Sequence, residues 1–81
     1  MGDNVYGNTG VNLKVLRLKN RLTQKEVAAA TGLSHRTISN LENNKNFPQR
    51  GNLAKLAKLY GVTVEEITEA NRKVEAPLEL L

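Results

Sequence analysis

Apolar residues recur every three or four positions along most of this 81-residue chain, with polar residues between them. This spacing indicates amphipathic α-helices, because the apolar residues of a half-buried strand would alternate. Five helical segments are predicted, and no stretch favours a strand. They cover residues 11–21, 24–31, 35–43 and 52–60, with a fifth helix that starts near residue 64. The pattern therefore predicts an all-α fold.

Local signals mark where these helices start and stop. The segments TQKE and TVEE each match a capping box, in which a Thr and a Glu three residues apart satisfy the first backbone amides. Ser34 supplies the N-cap of the third helix. Gly32 ends the second helix, and Asn44 follows the third, both at positions where a left-handed conformation is expected. The helix boundaries are thus predicted mainly by short-range chemistry.

The chain has room for one domain with a small core. Residues 1–10, MGDNVYGNTG, lack periodicity and are predicted to form a disordered arm. Residues 11–70 form the predicted domain. The pattern weakens in residues 71–81, which are expected to be a C-terminal tail.

The third helix separates into two faces when its residues are placed about 100° apart. The inner arc carries Thr37, Ile38 and Leu41 together with Glu42, whose charge is costly to bury without a partner. Arg17 of the first helix is the expected partner. The outer arc carries hydrogen-bonding side chains with nothing in the chain to bury against: His35, Arg36, Ser39, Asn40 and Asn43.

Only the three residues GLS join the second and third helices, which predicts a steep crossing and a helix-turn-helix unit. Ala28 is small enough for close helix approach, and Ile38 and Leu41 lie where they can pack back on the second helix. In such a unit the outer face of the second helix enters the major groove of DNA. Arg and Asn side chains can each make paired hydrogen bonds to a base there.

Charge and composition agree with a nucleic-acid partner and disfavour other classes. Residues 11–50 carry eight Lys and Arg against two Glu, whereas residues 51–81 carry four against five. Such a basic half is typical of a nucleic-acid surface. With no cysteine and one histidine, neither a metal site nor any other cofactor is expected. The chain has no membrane-length apolar run, no signal peptide and no catalytic constellation, which predicts a cytoplasmic protein that is not an enzyme.

The segment LKVLRLKNRLTQKEVAAATGLSHRTISNLENNKNFP resembles the Cro/phage-repressor type of helix-turn-helix, the XRE family of transcriptional regulators. The resemblance extends over residues 11 to about 70, including LAKLAKLYGVTVEEI. It implies a five-helix, lambda-repressor-like domain that binds operator DNA, usually as a homodimer. Asn44 departs from the family, in which a glycine is common at that position.

Matching positions extend the resemblance to individual residues. It implies base contacts by His35, Arg36 and Asn40, to which the outer arc adds Ser39. It implies an interhelical ion pair between Arg17 and Glu42, as the charge argument also expects. The expected phosphate contacts are Gln24, which would also brace the third helix, and Thr37, Asn43, Lys45 and Arg50.

Two functions remain open from the sequence. The first is a sequence-specific regulator, expected to be a repressor, which reads an inverted-repeat operator in double-stranded DNA as a homodimer. The alternative is a protein-interaction module on the same fold, such as an antitoxin that holds a partner protein through residues 74–81. That segment contains Val74, Leu78, Leu80 and Leu81, which have no obvious core to enter.

Overall fold

A computed structural model describes residues 7–68 of the chain. These residues form five α-helices and no strand, which confirms the all-α prediction. The helices are α1 (Thr9–Lys19), α2 (Gln24–Thr31), α3 (His35–Glu42), α4 (Arg50–Tyr60) and α5 (Val64–Thr68). Residues 1–6 of the predicted arm, and the predicted tail at 71–81, lie outside the described residues.

The first helix starts earlier and ends earlier than its apolar pattern predicted. It begins at Thr9, and both Thr9 and Gly10 are buried, so the arm predicted over residues 1–10 does not extend to residue 10. At the other end, the Asn20 side-chain amide donates to the Leu16 carbonyl at 2.7 Å. Arg21 then takes a left-handed conformation with φ of 57°. Leu22, which continues the apolar spacing, therefore belongs to the connection and not to the helix.

The start of α2, the turn and the start of α3 form as predicted. The Thr23 hydroxyl accepts from the Glu26 amide at 3.0 Å, and the Glu26 carboxylate accepts from the Thr23 amide at 2.8 Å. Gly32 is left-handed with φ of 78°, which a side chain would disfavour. The Ser34 hydroxyl accepts from the Thr37 amide at 3.0 Å. Short-range hydrogen bonds thus orient the two helices of the unit.

The end of α3 is tied to the start of α1. Asn44 is left-handed with φ of 58°, as predicted, and the Lys45 amide donates to the Asn40 carbonyl at 2.9 Å. This 6→1 hydrogen bond is the closure of a Schellman motif. The Asn44 side-chain oxygen accepts from the Gly10 amide at 2.9 Å, across 34 residues of sequence. Asn44 therefore ends one helix and holds the first turn of another.

The fourth helix begins two residues before the predicted start. Its first residue is Arg50, which the sequence placed in the preceding loop, and Gly51 lies inside the helix. Gln49 precedes it in an extended conformation. Gly51 is tolerated because a glycine costs little in an exposed first turn, compared with a helix centre. The prediction failed here because Pro48 and Gly51 together favour a loop.

One core joins all five helices. Asn12 is buried at the edge of this core, where its side-chain amide donates to the Ile67 carbonyl at 3.0 Å and links α1 to α5. No helix within residues 7–68 is long and apolar enough to cross a membrane. The buried apolar residues are Leu13, Leu16, Val27, Ala28, Ile38, Leu41, Leu53, Leu56, Ala57, Tyr60 and Ile67.

Within residues 7–68, Tyr60 is the one aromatic residue of this core, and it is 7% exposed. Burial raises the pKa of its phenol well above the usual 10, since the charged form would lose its hydration. The nearby Glu42 carboxylate raises this pKa further, and Arg17 lowers it.

The raised pKa predicts a loss of stability in alkali. Above pH 10 the unfolded chain releases the Tyr60 proton while the native chain keeps it, so each further pH unit favours unfolding by about 1.4 kcal/mol. Below pH 10 the phenol is neutral in both states and contributes no pH dependence. Urea denaturation at pH 8 and pH 11 should show an extra loss of about 1.4 kcal/mol that Tyr60→Phe lacks. Equal losses in both proteins would contradict the buried phenol.

Candidate nucleic-acid interface

The third helix has one face in the core and one face open, as its angular pattern predicted. Ile38, Leu41 and Glu42 are buried. On the outer side His35, Arg36 and Asn43 are exposed, whereas Ser39 and Asn40 are half-buried. The outer arc therefore presents a cation, an imidazole, a hydroxyl and two amides, the side-chain chemistry that recognises base edges.

A buried ion pair orients this helix. The Arg17 Nε donates to Glu42 Oε2 at 2.7 Å, and Arg17 Nη2 donates to Glu42 Oε1 at 3.1 Å. This two-point geometry is specific to a guanidinium facing a carboxylate. Arg17 Nη1 also donates to the Leu22 carbonyl at 2.9 Å. One side chain thus connects α1, the α1–α2 turn and the last turn of α3.

Gln24, the first residue of α2, connects this pair to the open face. Its amide nitrogen donates to Glu42 Oε1 at 3.1 Å, and its amide oxygen lies 2.9 Å from Nε2 of His35. Because an amide nitrogen carries two hydrogens, one remains available after the bond to Glu42. Gln24 braces the first and last turns of α3 in the structure, and its free hydrogen suits a phosphate oxygen.

Both expected cationic contacts are exposed and lie near helix ends. The Schellman closure places Lys45 just beyond the end of α3, two residues after Asn43, and Lys45 is exposed. The Asn43 side-chain amide donates to the Ser39 hydroxyl at 3.4 Å. Arg50 is also exposed, but it occupies the first turn of α4. Its guanidinium is therefore carried by the start of a helix and not by the loop that the sequence predicted.

Thr37 lies apart from the outer arc. It is half-buried, and its hydroxyl accepts from the Ser34 hydroxyl at 2.8 Å. It borders a groove whose other side is the loop from Asn46 to Gln49, where Phe47 is 44% exposed. A phosphate contact by Thr37 would have to come from the edge of the helix, beside that loop.

The sequence did not predict three features of this region. They are the Gln24–His35 hydrogen bond, the Asn44–Gly10 tie and the exposed Phe47. The first two join residues 11 and 34 positions apart, and Phe47 lies in a loop, so a helical period predicts none of them. No group of three His, Asp or Glu side chains within residues 7–68 could hold a metal ion.

Comparison with known families identifies the fold unit. The family model described as "Helix-turn-helix" matches residues 13–67, which cover the whole of α2 and α3 and the core around them. This chain belongs to the helix-turn-helix family of XRE type. The relatives of this chain are named as transcriptional regulators. The chain therefore belongs to a family of DNA-binding regulators, which is not an enzyme family.

Two relatives bracket the chain in length. It is 34% identical over 68 residues to the HTH-type transcriptional regulator PuuR of Escherichia coli, a match that covers 84% of this chain and 37% of PuuR. It is 38% identical over 55 residues to the uncharacterized HTH-type transcriptional regulator MJ0272 of Methanocaldococcus jannaschii, covering 68% and 83% of the two chains. The chain thus spans a little over a third of the length of PuuR and most of MJ0272.

Proposed function

We propose that this chain binds a specific site in double-stranded DNA through the outer face of α3 and represses transcription in the cytoplasm. The observation that carries the proposal is the division of α3: an ion pair and two apolar residues dock its inner face, and its outer face stays open. Because the inner face of α3 is already docked, the backbone of this helix does not have to become ordered when DNA binds, which reduces the entropic cost of binding.

Affinity and choice of site divide between two groups of residues. Phosphate contacts supply most of the affinity and position the protein, whereas base contacts select the sequence. Gln24, Thr37, Asn43, Lys45 and Arg50 are the proposed phosphate contacts. His35, Arg36, Ser39 and Asn40 are the proposed base contacts.

We propose a homodimer as the binding form. Two recognition helices about 34 Å apart would enter successive major grooves on one side of the DNA, so the operator would be an inverted repeat. Sedimentation of the protein with an operator selected from random DNA tests this. Two chains per operator are expected, and one chain per selected site would contradict the dimer.

The role of Arg36 is tested by an alanine substitution on the selected operator. Arg36→Ala should lose about 1–3 kcal/mol of discrimination at one base position, because a guanidinium pairs with guanine through two hydrogen bonds. Lys45→Ala should instead weaken all sequences alike and reduce the salt slope by about one.

Lys55→Ala is the matched control for the loss of one positive charge. Lys55 is exposed on α4 and borders Ala30 and Thr31, at the opposite end of α2 from Gln24. It should leave both the salt slope and the sequence preference unchanged. If Arg36→Ala and Lys45→Ala changed binding in the same way, the division of roles would be wrong.

The alternative, an interaction module that holds a protein through residues 74–81, depends on residues outside the described part of the chain. It stays a prediction.

A further inference from the structure

A continuous line of hydrogen bonds runs from the buried ion pair to the open face of α3. It passes from Arg17 to Glu42, from Glu42 to Gln24, and from Gln24 to His35. Its members come from α1, α2 and both ends of α3. The direction of each hydrogen bond in this line follows from chemistry alone.

The first step is forced by the ion pair. An arginine guanidinium only donates, and a carboxylate paired with it only accepts. Gln24 meets that carboxylate at 3.1 Å, so the group it turns towards Glu42 must be its amide nitrogen. The reverse orientation of the amide would place two oxygens against each other.

The second step follows from the first. With the nitrogen of Gln24 on Glu42, its oxygen is the atom 2.9 Å from Nε2 of His35. An amide oxygen accepts only, so Nε2 must carry the hydrogen. A neutral imidazole has one N–H, which leaves Nδ1 as an unprotonated acceptor. Among the described residues, the His35 side chain has no other hydrogen-bond partner, and His35 is exposed.

We infer that the Arg17–Glu42–Gln24 relay holds neutral His35 as the Nε2–H tautomer, so that Nδ1 accepts a hydrogen bond from an exocyclic amino group in the major groove. That group belongs to adenine or to cytosine, since guanine and thymine present only acceptors and a methyl group there. This inference rests on the proposed function, and it makes Gln24 a positioning residue for base selection as well as a phosphate contact.

The test starts from operators selected from random DNA at pH 8 by the full chain and by His35→Phe. Phenylalanine keeps a flat ring at this exposed position and removes both nitrogens. One base position should lose its preference in His35→Phe, and the wild-type base there should be adenine or cytosine. Guanine or thymine at that position, or no altered position, would overturn the inference.

Removal of the amino group itself is the second measurement. The selected adenine is replaced by purine, or the selected cytosine by 2-pyrimidinone, in an otherwise identical operator. Wild-type affinity should fall on the order of tenfold, the effect of one good hydrogen bond with its partner left unsatisfied. His35→Phe should bind both operators within about twofold. A wild-type loss under twofold would overturn the inference.

The relay is tested by Gln24→Leu, with Gln49→Leu as the matched control. Gln49 also stands at the start of a helix and makes no cap hydrogen bond there. Both variants are first checked for intact helix content. Gln24→Leu should reduce the tenfold ratio between the two operators to about threefold or less, whatever it does to absolute affinity. Gln49→Leu should keep the ratio. A full ratio in Gln24→Leu would show that the relay does not set the tautomer.

Nitrogen NMR of the free protein at pH 8 provides a readout without DNA. His35 should show a protonated Nε2 and an unprotonated Nδ1, and Gln24→Leu should shift both signals towards their average. An Nδ1–H tautomer in the wild type would overturn the inference while leaving the proposed function intact. If no operator were enriched at all, the proposed function itself would fail.

Discussion

Replacing Glu42 with alanine is expected to lower the free energy of unfolding by about 3–5 kcal/mol, because it leaves a buried guanidinium without its counter-charge. Arg17 keeps only its bond to the Leu22 carbonyl in this variant. Both partners of the pair are buried within the described part of the chain, and their side chains are 11% exposed for Arg17 and 3% exposed for Glu42. Since a small domain has a total stability of roughly 5–15 kcal/mol, this is a large fraction. Urea denaturation followed by circular dichroism measures the loss.

A double variant separates the cost of an unpaired charge from the worth of the pair. Arg17→Met combined with Glu42→Leu should recover most of the lost stability, since well-packed apolar residues often replace a buried ion pair without cost. Glu65→Ala is the control for loss of an exposed glutamate and should change stability by about 0.5 kcal/mol or less. If Glu42→Ala cost no more than Glu65→Ala, the pair would not be buried in solution.

The double variant should also separate folding from DNA recognition. It keeps the fold but removes the acceptor that orients Gln24. We therefore expect a stable protein whose preference at the His35 base position is weakened, while the contribution of Arg36 persists.

Replacing Gly10 with alanine is expected to cost about 2–3 kcal/mol, because the added methyl has no room. A Cβ there would lie 2.6 Å from Asn44 Oδ1 and 2.7 and 2.8 Å from the backbone carbonyls of Glu42 and Leu41. The Asn44 side chain could rotate away, but only by giving up its bond to the Gly10 amide. The two carbonyls belong to the last turn of α3 and can move only if that helix end moves.

Gly51→Ala is the matched control within the same chain. Gly51 also lies in the first turns of a helix, and a Cβ there meets nothing within 4 Å. This substitution should stabilise the protein by about 0.4–1 kcal/mol, since alanine loses less backbone freedom on folding. Thermal or urea unfolding of the two variants should move in opposite directions. A Gly10→Ala protein as stable as the wild type would show that α1 and α3 are not in close contact.

Much of the local structure was predictable because its causes are local. Both capping boxes, the Ser34 cap and the left-handed Gly32 and Asn44 depend on residues within one turn of each other. The two faces of α3 follow from the helical period. Glu42 falls on the inner edge beside Ile38, where a carboxylate needs a cation from elsewhere in the chain. The structure has that cation in Arg17.

The boundaries that were wrong share a cause. Thr9 and Gly10 carry no apolar side chain, so no periodic signal shows that they are buried in α1. Arg50 and Gly51 follow a proline, a pattern typical of a loop, although proline also stands readily just before a helix. In both places the residues added to the helix have no large apolar side chain, so the apolar spacing does not show where the helix starts.

The sequence by itself determined five helices, the turn between α2 and α3, the side of α3 that docks and the family to which the chain belongs. Only the tertiary structure decided how Gly10 meets the end of α3, and that Gln24 lies between Glu42 and His35. Those contacts join residues 11 to 34 positions apart, and hydrogen-bond direction depends on which atoms face each other. Helical period and capping chemistry act within a turn, whereas the tautomer of one exposed histidine depends on three helices packed together.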